Sequence, residues 1–86
     1  MTAKELLNPS ILKILYILFK EGEINISKLA KETKLNYSTL LKYIEILEHK
    51  KLIEVIRGDR SKIIRLNYAN PKVIILKNLF EELEDI

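Results

Sequence analysis

The side chains in this chain best suited to chemistry are hydroxyls, amides and cations, gathered in two short stretches. One is Asn36-Tyr37-Ser38-Thr39 with Lys42 and Tyr43 just beyond it; the other is Arg57, Arg60 and Lys62 around Gly58-Asp59-Arg60-Ser61. Such groups hydrogen-bond phosphates and base edges, and lysine or arginine adds attraction to a polyanion. Covalent chemistry has little to work with. The carboxylates are scattered, no hydroxyl or lysine is spaced to meet a histidine base, and Gly22 and Gly58 alone cannot build a phosphate-cradling loop. With no cysteine and a single histidine, His49, the sequence offers no disulfide framework and no metal site, and it implies no cofactor. An enzyme is therefore not expected.

The elements that would position these residues follow from apolar spacing and turn chemistry. Asn8-Pro9-Ser10 opens a helix over 9–20, apolar on almost every side, which Glu21-Gly22 stops. Asn25 can cap a second helix over 25–33, in which Ile26, Leu29 and Ala30 recur at helical spacing. Asn36 and Ser38 offer a cap for a third helix, 37–50, whose Leu40, Ile44 and Leu47 form a stripe for burial. On its other face Ser38, Lys42, Glu45 and His49 line up, flanked by Thr39 and Tyr43. Residues 52–67 are β-branched, partly alternating runs joined at Gly58-Asp59-Arg60-Ser61, a hairpin with glycine available for φ > 0. Asp59, the one acid among Arg57, Arg60 and Lys62, is expected to hold an arginine or cap the turn. From Pro71 a last helix runs over 71–85, and residues 1–7 form a frayed extension or an extra helical turn.

The segment from Asn25 to Asn67 resembles the winged-helix domain of MarR-like and related archaeal transcription regulators. Leu29-Ala30, the Leu35-Asn36-Tyr37-Ser38-Thr39 entry, Leu47 and Leu52-Ile53-Glu54 carry the resemblance. It implies an α+β, mostly α fold: a three-helix core, a β-hairpin wing and an additional C-terminal helix. By the same resemblance Asn36, Tyr37, Ser38, Thr39 and Lys42 fall on the major groove, and Arg57, Arg60 and Lys62 on the wing; Lys28 and Tyr43 complete the expected DNA-contacting set. Lys34 and Lys51 stand where the pattern usually has glycine. Either the backbone there avoids φ > 0, or lysine adopts it at a cost.

Eighty-six residues are read as one domain, 1–86, without room for a separate ligand-binding module. Ile11 to Phe19 is too short, and too interrupted by Lys13, to span a bilayer, and no secretory signal is recognised, so no membrane partner is expected and the location expected is the cytoplasm. The lack of Cys and Gln and the richness in Ile, Lys and Glu fit a thermophile, although an AT-rich genome gives the same bias.

The net charge of +3 is unevenly spread: Ile26 to Arg65 holds ten Lys/Arg against five Asp/Glu, or +5, and Leu66 to Ile86 holds two against four, or −2. Cations gathered on the proposed reader would attract and orient a polyanion. The first and last helices carry more apolar surface than one small core needs. They are expected to pair a homodimer through Leu12, Leu15, Tyr16, Phe19, Ile75, Leu76, Leu79, Phe80 and Leu83, with Leu6 and Leu7 joining.

The function expected is a sequence-specific double-stranded DNA-binding transcription regulator acting as a homodimer. Two readings compete: a protein-interaction winged helix of a larger assembly, and an architectural DNA binder indifferent to sequence. Tyr37 and Tyr43 could equally edge the core, Leu41 is better explained by packing than by a thymine methyl, and His49 by its place at a helix C-terminus. Arg60, an exposed hairpin arginine with little structural work, is the strongest single candidate.

Overall fold

The computed structural model describes Lys4 and residues 7–85. Along them run α1 (Pro9–Glu21), β1 (Glu23–Asn25), α2 (Ile26–Thr33), α3 (Tyr37–His49), β2 (Ile53–Arg57), β3 (Lys62–Leu66) and α4 (Pro71–Glu84). What was expected of residues 1–6 lies outside the described residues, Lys4 apart.

Asparagine starts each of these helices. Asn8, Asn25, Asn36 and Asn70 accept backbone N–H groups of the first turns they precede, at 2.8–3.3 Å, and Pro9 and Pro71 open α1 and α4, where a missing N–H costs nothing. The ends are as specific. Gly22 stops α1 at φ 79, while Lys34 and Lys51 both take φ 61 after α2 and α3. Lys34 N–H donates to the Ala30 carbonyl at 2.9 Å, a left-handed cap. After α3, Lys51 N–H donates to Glu48 O at 2.9 Å and Leu52 N–H to Leu47 O at 3.0 Å, and both leucines are buried. This is a Schellman closure with its apolar contact. The Lys51 carbonyl in turn receives the side-chain amides of Asn67 and Asn70, at 2.9 and 3.0 Å, so the left-handed turn is held from outside. Lysine therefore does adopt the glycine-type backbone at both positions.

The ribbon is wider than expected. β1 adds a third antiparallel strand in the order β1-β3-β2, pairing Ile24 with Ile64, which pairs in turn with Val55 of β2. Across the outer face Arg65 lies between Glu23 and Glu54, its register partners on either side, and its guanidinium reaches them at 3.1 and 3.4 Å. The hairpin also differs from expectation, because Gly58 does not take φ > 0. Its N–H donates to the Ser61 carbonyl at 2.9 Å, and an added Cβ would meet Ser61 Oγ at 3.3 Å, a tight contact to which that hydroxyl would have to yield.

The core gathers Ile14, Leu15 and Leu18 of α1, Leu29 of α2, Leu40 and Leu47 of α3, Ile64 and Leu66 of β3 and Val73 of α4, all fully buried or nearly so. This corrects part of the expected dimer face. Leu15, Leu76 and Phe80 are buried within one copy, because α4 lays one side across α1 and the Phe80 ring packs at 5.4 Å from both Tyr16 and Phe19. Leu12 and Phe19 are half-buried, whereas Tyr16, Ile75, Leu79 and Leu83 remain exposed. The end of α4 is tied to α1 through Glu84, whose carboxylate accepts from Tyr16 Oη at 2.8 Å and meets Lys20 Nζ at 3.0 Å. Those two contacts, Tyr16 first, hold the Glu84 carboxyl below its ordinary range. No helix among the described residues is long and apolar enough to cross a membrane.

Candidate nucleic-acid interface

Helix α3 presents to solvent the row expected from its sequence. Ser38, Lys42, Glu45 and His49 are exposed, opposite the buried Leu40, Ile44 and Leu47. Thr39 is half-buried. Tyr43 and Leu41 pack against the core, which gives both of them structural work, whereas the Tyr37 ring stands out at the start of the helix, 49% exposed. Asn36 and Ser38 are partly engaged with each other: Asn36 Oδ1 accepts from Thr39 N–H at 2.8 Å and from Ser38 Oγ at 3.1 Å. Their first effect is to fix where α3 begins.

The wing divides its cations. Along β2 the side chains alternate, so Ile53, Val55 and Arg57 share the face turned toward the body. Arg57 accordingly meets α3, not the loop. Its guanidinium makes two parallel bonds to Glu48, Nη1 to Oε2 at 2.9 Å and Nη2 to Oε1 at 2.8 Å. The Glu48 carboxyl is held below its ordinary range, chiefly by the hydrogen bonds from Arg57 and then by the charges of Arg57 and Lys62, and the same bonds raise the pKa of Arg57. Asp59, expected to hold an arginine or cap the turn, makes no ion pair and no side-chain hydrogen bond among the described residues; the loop is closed instead by Gly58 N–H on the Ser61 carbonyl. Lys28 is partly neutralised as well, by Glu21 at 3.6 Å. Lys42, Arg60 and Lys62 have no carboxylate within ion-pair reach among the described residues; Arg60 is exposed and Lys62 half-buried.

Between these elements runs an open groove of about 410 Å³, lined by Asn25, Ile26 and Ser27 where α2 begins, Tyr37 where α3 begins, and Arg57 to Lys62 of the wing. Two helix N-termini and a basic hairpin therefore converge, and N-terminal N–H groups with cations close by favour a negative charge. Asn25, Ser27 and Glu48 were absent from the set expected from sequence. Asn25 was legible only as a cap, and Glu48 only once the hairpin is known to run back beside α3. No group of three or more metal-ligating side chains occurs among the described residues.

The pattern describing winged helix-turn-helix DNA-binding domains matches residues 7–54, more than half of the chain. No curated protein sequence matches. HlyU from Vibrio cholerae superposes with a TM-score of 0.80 at 21% identity, over 93% of this chain and 84% of that one, a likeness of fold. The homodimeric winged helix-turn-helix DNA-binding domain of Mb0332 from Mycobacterium bovis, a possible ArsR-family transcriptional regulator, is 28% identical, with a TM-score of 0.75 over 95% of this chain and 73% of that one. The transcriptional repressor BigR from Xylella fastidiosa is 25% identical, with a TM-score of 0.77 over 93% and 79%. With the helix pair, the wing and the family pattern in agreement, the chain belongs to the winged helix-turn-helix DNA-binding family.

Proposed function

We propose that the protein is a sequence-reading regulator of transcription, acting in the cytoplasm as a homodimer on double-stranded DNA. The observation that carries this reading is the outward row of Ser38, Lys42, Glu45 and His49 on a capped helix beside a wing with Arg60 at its tip. In this reading α3 enters the major groove, Tyr37, Ser38, Thr39 and Lys42 face base edges and nearby phosphates, and Arg60 and Lys62 reach the flanking backbone or minor groove. Lys28 adds charge at the side, Asn36 sets the start of the reading helix, and Tyr43 seats it on the core.

The dimer rests on apolar surface. Ile75, Leu79 and Leu83 recur at i, i+4 and i+8 along α4, each at least half exposed. With Leu7, Leu12 and Tyr16 of the adjoining segment, Leu79 and Leu83 line an open groove of about 700 Å³. A second copy would cover it, and the homodimeric Mb0332 domain supports that assembly. A two-fold axis there would set two α3 helices about one turn of DNA apart.

The test is an anisotropy titration against the gene's own upstream duplex and a scrambled duplex of equal length, at two salt concentrations. Preference for the native duplex that persists at the higher salt supports sequence reading. Equal, salt-sensitive binding to both would replace it with an architectural role, and binding to neither with a protein-interaction module. In the same assay Lys42→Ala should weaken all duplexes alike if Lys42 meets phosphate, or relax one base position by about 1–3 kcal/mol if it meets a base edge. Unchanged binding would remove Lys42 from the site.

A further inference from the structure

We infer that Glu48 is a positioning residue for the wing: by gripping Arg57 with both carboxylate oxygens it fixes the outer end of the hairpin to the last turn of α3, and it withholds Arg57 from the phosphates. The inference deepens the DNA reading above and rests on it. Its basis is where the core stops. Ile53 and its partner Leu66 are buried at the root of the wing, and on the next rung of the same face Ile64 is buried while its partner Val55 is half-buried. The last pair on that face, Arg57 with Lys62, contributes no apolar side chain of its own, and the loop carrying Arg60 hangs beyond it. Strand alternation turns Arg57 to the same side as Ile53 and Val55, and there it meets Glu48 in fork-to-fork bonds of 2.8 and 2.9 Å. Bidentate geometry restrains direction as well as distance, which a single contact does not. The clamp thus extends the attachment of the wing one ladder step past the core.

Charge alone and the clamp predict opposite signs. Glu48→Gln removes a negative charge beside a polyanion's path, so charge alone predicts tighter binding to duplex DNA. The clamp predicts weaker binding, by about two- to fivefold for an exposed bidentate pair, because Arg60 loses its fixed position. Arg57→Gln discriminates a second time. A phosphate-contacting arginine carries about 0.9 of the slope of log K against log salt, whereas a clamped one leaves the slope unchanged.

The experiment combines both variants in the full chain with amide hydrogen exchange at Gly58, whose N–H closes the loop onto Ser61, measured without DNA. Faster exchange in Glu48→Gln, weaker duplex binding by that variant and an unchanged slope for Arg57→Gln are expected. Tighter binding by Glu48→Gln, a slope reduced by about one for Arg57→Gln, or unaltered exchange would each overturn the clamp. If the wild-type chain binds no duplex at all, the DNA reading falls, and the exchange comparison still decides whether Glu48 holds the wing.

Discussion

Replacing Lys34 and Lys51 by glycine should make the protein more stable, although both changes delete long side chains. Each lysine holds φ 61, in the left-handed region, where the Cβ of an L-residue costs about 1–2 kcal/mol. Glycine removes that strain but frees the unfolded chain, which returns about 0.4–1 kcal/mol. The difference is a gain of about 0.5–1 kcal/mol per site. Both side chains are exposed, and neither makes an ion pair among the described residues, so little offsets the gain. The sites close different helices, and the double variant should gain about 1–2 kcal/mol by addition. In a domain of this size each kcal/mol raises the thermal midpoint by about 4–8 °C. Urea and thermal unfolding, followed by circular dichroism at one fixed protein concentration, would measure it. Lys34→Ala and Lys51→Ala are the controls, because they lose the same charge and keep the Cβ. Glycine variants no more stable than their alanine counterparts would refute the account of both caps.

Other outcomes follow from the same structure. Leu47→Ala, at a fully buried site that also closes the α3 cap, should cost about 2–5 kcal/mol in denaturant unfolding. Leu79→Lys with Leu83→Lys should give a monomeric mass in light scattering without lowering the unfolding free energy of the single copy, since both leucines are about half exposed. A dimeric mass for that variant would move the interface elsewhere. Acid should loosen the wing. The Glu48 carboxyl is held below its ordinary 4.5 by Arg57, so its contribution is complete at neutral pH and is lost as pH falls through the lowered folded value. Gly58 amide protection should therefore start to drop as the pH falls below the ordinary carboxyl value of 4.5 and be lost below the lowered folded value, with a smaller drop in Glu48→Gln.

The sequence made the helices legible because each has a cap and a buried stripe. Asn25 and Asn36 announced α2 and α3, and Leu40, Ile44 and Leu47 announced which side of α3 faces inward. Direction failed where there was no polar face to give it. Helix α1 is apolar nearly all round, so nothing in its spacing separated Leu15, sealed inside, from Tyr16 at the surface. On α4 the polar Asn78, Glu81 and Glu82 do mark one side, but the remaining apolar arc is broad enough to hold both the buried Leu76 and Phe80 and the exposed Ile75 and Leu79. Strand β1 was hidden because three residues are too few for alternation, and its partners lie far along the chain. In the candidate site, residue types pointed to one surface made by α3 and the wing, but the bonds within it did not show. Arg57 looked like its neighbour Arg60 until the alternation of β2 turned it toward Glu48.

The partnership of β1 with β3 also bears on the order in which the molecule assembles. Glu23 and Arg65 are 42 positions apart, whereas β2 and β3 are joined by a four-residue loop. Closing the longer segment costs roughly 2 kcal/mol more in chain entropy, from the logarithm of the ratio of the loop lengths. The hairpin can therefore form early from local contacts, while β1 waits until α2 and α3 have folded and brought the ends of that long loop together. On unfolding it should be the first strand to detach. Refolding and unfolding rates of variants at Ile24, the buried residue of β1, read this order directly: the change should fall on the unfolding rate, and a matching loss in the refolding rate would place β1 in the nucleus instead.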